Sequence, residues 1–288
     1  MAAALSPPAL ASHWKKHGYI VVRRMFSPAR TAALEAVCEQ VLRQWRRKNP
    51  ETGQPGGGPE ATVMRHLVHA GYDDAAGAAG RRALLEAVAD PKMLTASRAV
   101  LGQEPLFRAT SLFMNPLQNS RAGNWHRDSQ FHWPDEAEER RMLSGNSRLQ
   151  SALQLQVALS PSADVEVVPG SHLRWDTPAE YAIRRADEGK NNRSDKMPGA
   201  VRLSLEAGDA LAFNPCALHR GRYHTNKKRR TLMVTYTGAS APHFYYFSDQ
   251  PWFLQEGYLD GLKAESHALF GRFIEQYQKD WQRPKDAD

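Results

Sequence analysis

The chain has 288 residues, 41% of them hydrophobic and 24% charged, a balance that fits a soluble globular fold and excludes a fibrous or disordered one. No run approaches the roughly 18 apolar residues that a membrane-crossing helix needs, so no membrane partner is expected. The net charge of +7 admits nucleic acid, an anionic surface or an acidic small molecule, but the basic residues fall in short sets without interleaved aromatics, which argues against nucleic acid.

The first stretch, Met1 to Lys16, lacks a basic leader, and Pro7-Pro8 interrupts its apolar run, so no secretory signal is expected. Ser27-Pro28 is an N-cap followed by proline, and Leu34, Val37, Val41, Leu42 and Trp45 then recur at helical spacing. The Pro/Gly-rich segment 49–62 reads as a mobile loop. Asp90-Pro91 opens a second helix that Gly102 stops. From about Leu106 the period changes to that of strands. Leu153, Leu155, Val157 and Leu159 alternate with Gln154, Gln156, Ala158 and Ser160. Segment 200–214 reads as two strands around a Gly208-Asp209 turn, and 231–238 as another strand with Leu232, Val234 and Tyr236 on one face. Segment 184–200 is a polar insertion. A closing helix buries Leu262, Leu269, Phe270, Phe273, Ile274, Tyr277 and Trp281. The order predicts one domain over 1–288: a mainly helical N-terminal region (1–105), a β-core (106–240) and a C-terminal helix (255–283). Its architecture would be mainly β, a jelly roll with flanking helices.

Cys38 and Cys216 make no disulfide framework, which points to a reducing, cytoplasmic setting. Cys216 stands three residues before His219, but a small buried thiol is the simpler reading.

The chemistry concentrates in two stretches. In "NWHRD" (124–128), His126 and Asp128 are two apart and share one face of an extended chain, with Arg127 on the other. In "FNPCALHRGRYHTNKKRRTLMVTY" (213–236), His219 ends an apolar run and a turn returns the chain at Arg229-Arg230. Two histidines and one carboxylate on one face of a metal leave coordination positions open, as in non-haem Fe(II) oxygenases. A bound 2-oxo-dicarboxylate would need a cation for its distal carboxylate, and a guanidinium matches it in bidentate geometry.

The stretches "WHRDSQFHW", "VEVVPGSHLRW" and "GDALAFNPCALHRG", with Arg230 and the opening "HGYIVVRRMFSPA", resemble the phytanoyl-CoA dioxygenase family of Fe(II)/2-oxoglutarate oxygenases over roughly residues 13 to 240. The resemblance implies a double-stranded β-helix (cupin-like) core. It implies His126, Asp128 and His219 as iron ligands, and Arg230, eleven positions after His219, as the partner of the 2-oxoglutarate C5 carboxylate. Arg229 competes for that role, because neighbouring strand residues face opposite ways. The cofactors implied are Fe(II), 2-oxoglutarate and O₂. The reaction implied is hydroxylation of an aliphatic carbon of a small molecule, with release of succinate and CO₂. Asp128 fills the position a halide takes in related halogenases, which argues against halogenation. Gly221 stands where some relatives carry a hydroxyl residue that helps bind 2-oxoglutarate.

Further candidates each have a structural reading beside the functional one. Asn115 could donate to 2-oxoglutarate or end a strand in an Asn-Pro turn. Gln154 and Gln156 would contact cofactor or substrate if their face lines the barrel. His132, Trp133 and Arg127 are candidates for the substrate mouth. His172 reads as a turn residue and His224 as a solvated one. Loops 49–80, 116–124 and 182–199 would frame the pocket and set specificity. Two other functions remain open at this level: a metal-binding jelly roll without oxidative activity, and a nucleic-acid-directed oxygenase. The substrate is left open, an anionic small molecule among the choices, as is the oligomeric state.

Overall fold

The structure, a computed structural model, describes residues 6–51, 56–145, 151–239, 241 and 248–281. The chain enters as helix α1 (Pro7–His17) and strand β1 (Tyr19–Val22), joined by Gly18, whose φ of 75° closes the helix. Helix α2 (Pro28–Lys48) starts where expected: the Ser27 side chain accepts from Arg30 N at 3.3 Å, with Pro28 in the first turn. Leu34, Cys38, Val41, Leu42 and Trp45 form its buried stripe. Strand β2 (Val63–Arg65), helix α3 (Asp73–Val88) and helix α4 (Pro91–Leu101) follow, and the Asp90 carboxylate caps α4.

Strands β3 (Leu106–Met114) and β4 (Arg121–Ala122) lead to two short helices, α5 (Ser129–His132) and α6 (Glu136–Gly145). Then come β5 (Ala152–Ala158), β6 (Ser162–Val167), helix α7 (Pro178–Arg184), β7 (Val201–Leu205), β8 (Ala210–Phe213), β9 (His219–Tyr223) and β10 (Arg230–Thr237). Helix α8 (Ala264–Trp281) closes the described chain.

The strands form two antiparallel sheets, a major one ordered β1-β8-β5-β10-β3-β2 and a minor one ordered β4-β9-β6-β7. Together they make the jelly-roll, double-stranded β-helix core with helices packed outside it. Alternation along the strands sorts the side chains. In β5 and β10, Leu153, Leu155, Val157, Leu232, Val234 and Tyr236 join the main apolar cluster with α2, α4 and α8. Gln154, Gln156, Met233 and Thr235 turn the other way and line a cavity between the sheets. Phe107 of β3 packs on Phe270 and Phe273 of α8, with ring centroids 5.4 and 5.0 Å apart.

Several expectations shift. The region read as helical supplies β1 and β2, both in the major sheet. The segment read as a strand pair around Gly208 does contain two strands, but they are not partners: β7 pairs with β6, and β8 with β1 and β5. The turn carries the chain from one sheet to the other, with Gly208 at φ 90° and its Cβ position 2.6 Å from the Phe26 carbonyl oxygen. The closing helix begins at Ala264, later than 255, because Gly257 and Gly261 take left-handed φ of 73° and 72° in the turns before it. Segment 184–200 packs down as well: Asn192 and Ser194 carbonyls accept from the Trp125 backbone and indole N–H at 2.6 and 3.0 Å. In the loop 49–62, residues 52–55 lie outside the described residues, while Gly57 N donates to Asn49 O at 2.6 Å. No helix among the described residues is long and apolar enough to cross a membrane.

Candidate metal centre

His126 and His219 face each other across an isolated antiparallel bridge. His126 N donates to His219 O at 3.1 Å, and His219 N to His126 O at 3.0 Å. The bridge ties the extended segment before α5 to the first residue of β9, so residues 93 positions apart in sequence meet through their backbones. Asp128 N donates to Pro215 O at 2.9 Å, which brings the carboxylate alongside.

The side chains are aimed by further bonds. His126 Nδ1 lies 2.7 Å from Asn124 O, and His219 Nδ1 lies 2.9 Å from Ala217 O. A carbonyl accepts only from N–H, so each Nδ1 holds a proton, and Nε2 is the ring atom left to ligate in the neutral tautomer. Asp128 Oδ1 is 3.5 Å from His126 Nε2 and 3.6 Å from His219 Nε2. The amide of Gln154 donates to the other oxygen, Oδ2. One carboxylate oxygen is thereby occupied and one points at the two imidazoles. Among the described residues, the three candidate ligand atoms lie within 4.8 Å of one another.

Burial at 6% exposure and the neighbouring His126 push the His219 imidazole down to about 4, against an upward pull from Asp128. It is therefore neutral at pH 7, the state that can ligate. Two imidazoles that present Nε2 and a single carboxylate oxygen fit a divalent ion with open positions. Cys216 borders the cavity, but among the described residues the cluster of candidate ligand atoms is His126, Asp128 and His219 without it, and burial pushes its thiol up to about 12.

The triad opens on a cavity of about 660 Å³. Gln154, Gln156, His132 and Trp133 line it, as does Phe213, which packs 4.7 Å from the His219 ring.

Three expected residues are placed elsewhere. Arg230 has the same strand parity as Leu232, Val234 and Tyr236, so it faces the helices. Its Nε and Nη2 pair with the Glu39 carboxylate at 2.8 and 3.1 Å. The cavity side belongs to Arg229, which is 1% exposed and shares its face with Thr231, Met233 and Thr235. Counting eleven from His219 thus lands on the outward-facing neighbour, because the β9–β10 turn reaches the inward position one residue sooner. Asn115 does not line the cavity; its amide donates to Lys227 O at 2.9 Å and steadies that turn. Arg127 is fully buried on the far side of the ligand segment and touches no part of the cavity. The turn reading of His172 agrees with its place. It is 2% exposed beneath α1, with its imidazole pushed down to about 4 mainly by burial.

Arg229 Nε finds no hydrogen-bond partner among the described residues. The nearest acid is Asp164, with Oδ2 at 3.7 Å, and the guanidinium stacks over Phe113 and Tyr223 at 5.3 and 5.4 Å. A buried cation with an unsatisfied donor beside the cavity is a ready place for a carboxylate. Tyr223 fills another gap. A Cβ added at Gly221 would lie 2.8 Å from Tyr223 Oη, so this hydroxyl stands in the space a hydroxyl side chain at 221 would use. At the opposite end of β3, a bulge skips Arg108 in the pairing with β10 and turns this 3%-exposed residue into the cavity wall. Strand parity would have found Arg229; no local pattern announced Tyr223 or the bulge.

A jelly roll with two histidines and one aspartate converging at the mouth of an internal cavity defines the class of non-haem iron, 2-oxoglutarate-dependent oxygenase-type enzymes. The chain belongs to the phytanoyl-CoA dioxygenase family, whose model, Phytanoyl-CoA dioxygenase (PhyH), matches residues 14–232. Among solved structures it is similar to AviO1 from Streptomyces viridochromogenes Tue57, with 19% identity, a TM-score of 0.58, and 84% of this chain and 99% of that one covered. It is similar to the epimerase SnoN in complex with Fe3+, alpha ketoglutarate and nogalamycin RO, with 19% identity, a TM-score of 0.56, and 85% and 91% covered. A third likeness is EctD from S. alaskensis with 2-oxoglutarate and 5-hydroxyectoine, with 19% identity, a TM-score of 0.54, and 82% and 81% covered. These likenesses carry the fold. No curated protein matches the chain closely enough in sequence to count as a relative.

Proposed function

We propose that the protein is an Fe(II)- and 2-oxoglutarate-dependent dioxygenase that hydroxylates an aliphatic carbon of a small molecule. The observation that carries this reading is the convergence of His126 Nε2, Asp128 Oδ1 and His219 Nε2 at a cavity whose far wall holds the buried Arg229. Fe(II) with 2-oxoglutarate would supply O₂-dependent oxidation there: one oxygen atom enters the substrate, the other enters succinate, and CO₂ leaves.

The chain's own residues would divide the work. His126, Asp128 and His219 would hold the ion, and Gln154 would hold Asp128 to one-oxygen ligation. Arg229 would pair with the C5 carboxylate of 2-oxoglutarate, taking the role the resemblance implied for Arg230. The Tyr223 hydroxyl would add a hydrogen bond to the same carboxylate.

The substrate would lie at the other end, among Gln156, His132, Trp133, Thr235 and Arg108. Arg108 and Arg229 belong to opposite ends of the β3–β10 pairing, roughly 20 Å apart along the backbone at about 3.3 Å per residue. A cation in the wall at the substrate end favours a small molecule carrying an anionic group.

The test is anaerobic. Iron-loaded protein should gain a visible charge-transfer band on adding 2-oxoglutarate, and Asp128→Ala should abolish it. No band in the wild-type protein would end this reading. A substrate screen by mass spectrometry then decides the outcome of oxidation. A gain of one oxygen atom supports hydroxylation. Loss of two hydrogens, or an isomer of equal mass, would place the protein with carbocyclase or epimerase chemistry, the activities by which the neighbours SnoK and SnoN are described.

A further inference from the structure

We infer that Arg127, the residue between two of the candidate ligands, is a positioning residue that locks the three ligands into one geometry through a buried ion-pair network. The inference rests on the metal reading above and extends it to residues that never touch the ion.

The sequence places Arg127 where its side chain must point away from the ion, and the structure shows what it reaches. Nε and Nη2 donate to the same oxygen of Asp176, at 3.0 and 2.7 Å. Nη1 donates to two backbone carbonyls, Ser171 O at 2.7 Å and Cys216 O at 2.5 Å. Those carbonyls belong to the segments that set His219. Cys216 lies three residues before it. The Ser171 hydroxyl accepts from Leu218 N at 2.7 Å, next to His219 itself. One guanidinium therefore joins the His126–Asp128 segment, the 170–173 turn and the loop that leads into β9 and the third ligand.

A second layer holds Asp176 in place. Arg184 Nε donates to its other oxygen at 2.6 Å, and Arg184 Nη1 donates to Gln130 Oε1 at 2.9 Å. Glu139 accepts from Ser129 Oγ at 2.8 Å, directly after Asp128, and from Arg185 at 3.0 Å. The side chains of Arg127, Asp176, Arg184 and Glu139 are all 0% exposed.

Burying this much charge is costly unless every member is paired, and such networks are poor stabilisers compared with an apolar core. Fixing direction is what they do better, because a planar fork with several partners has few alternative poses. Lysine cannot reproduce it. A single ammonium can face Asp176 but cannot also reach two carbonyls in the guanidinium plane. Groups that orient metal ligands without touching the ion commonly change metal affinity by about 10- to 100-fold when altered.

The experiment measures cobalt(II) affinity of the full-length protein by its visible d–d absorption, with no turnover involved. Arg127→Lys keeps one charge against Asp176 and should raise the Kd for cobalt(II) about ten-fold or more, with the d–d spectrum shifted. Asp176→Asn should act in the same direction, and it decides the matter if Arg127→Lys does not fold. Leu42→Ala, a cavity in the remote α2 core, should lower the melting temperature and leave the Kd unchanged. Wild-type affinity in the folded Arg127 or Asp176 variants would overturn the proposal, as would an equal loss in Leu42→Ala. If the wild-type protein itself bound no cobalt(II), the metal reading would fall with it.

Discussion

At the scale of single residues, the sharpest contrast is between Arg230 and Arg229. The two differ by one position and by everything that matters physically. Arg230 spends its charge on Glu39 outside the barrel, and Arg229 carries its charge into the cavity. Steady-state kinetics with 2-oxoglutarate should separate them. Arg229→Met should raise the KM for 2-oxoglutarate at least ten-fold, a loss of about 1.4 kcal/mol or more. Arg230→Met should leave that KM within about two-fold and lower the melting temperature, because Glu39 keeps only Lys228, at 3.1 Å, of its two cationic partners at the helix–sheet contact. The reverse pattern would restore the spacing argument. Gln154 offers a second test. Gln154→Leu removes the donor to Asp128 Oδ2 and adds bulk beside the ligands. It should weaken metal binding about ten-fold with little change in thermal stability, as read by cobalt(II) titration beside a thermal melt.

Elements are where local signals and tertiary demands meet. Strand β10 had its answer in plain view. Leu232, Val234 and Tyr236 are its outward face, and Arg230 shares their parity, so Arg229 had to point inward. The family spacing overrode that parity because turn length is free to vary, while alternation along a strand is not. The caps of α2 and α4 were legible for a similar reason: Ser27-Pro28 and Asp90-Pro91 satisfy local donors with local atoms. The bulge at Arg108 was not legible, since it depends on how β3 meets β10. Gly18 is a junction of both kinds. Its φ of 75° ends α1, and a Cβ there would lie 2.4 Å from His172 Nδ1. Gly18→Ala should cost about 1–2 kcal/mol from the left-handed backbone alone, and more from the clash. A denaturant melt should find the midpoint lowered; an unchanged midpoint would mean that α1 can move off the turn below it.

For the whole molecule, two buried imidazoles connect the fold to pH. His172 and His219 both titrate near 4 in the folded chain, against about 6.5 unfolded, chiefly because burial disfavours the charged ring. Between those values the unfolded chain binds more protons than the folded one, so stability rises with pH across that window. It should fall as pH drops from about 6.5 toward 4, by up to about 1.4 kcal/mol per pH unit for each group. Denaturant midpoints of metal-free protein at pH 7.5 and pH 5 check this, and equal midpoints would contradict it. A divalent ion that binds only the folded site should stabilise the chain by about 2.7 kcal/mol at a hundred-fold excess over its Kd. Asp128→Ala should erase that gain in a thermal melt.

The sequence by itself determined the local grammar of this protein: where α2 and α4 begin, that the chain closes on an amphipathic helix, where strands alternate, and which His, Asp and His could share an ion. Those features are written in neighbours along the chain, where spacing and side-chain chemistry act directly. Tertiary structure decided the rest. It carried β7 and β8 into different sheets, paired His126 with His219 through their backbones, and gave Arg229 the inward position. It also placed Arg127 at the hub of a buried network joining residues from four segments. Each of those outcomes depends on which atoms meet across sheets and turns, and closure of the barrel fixes those meetings, not any local run of residues.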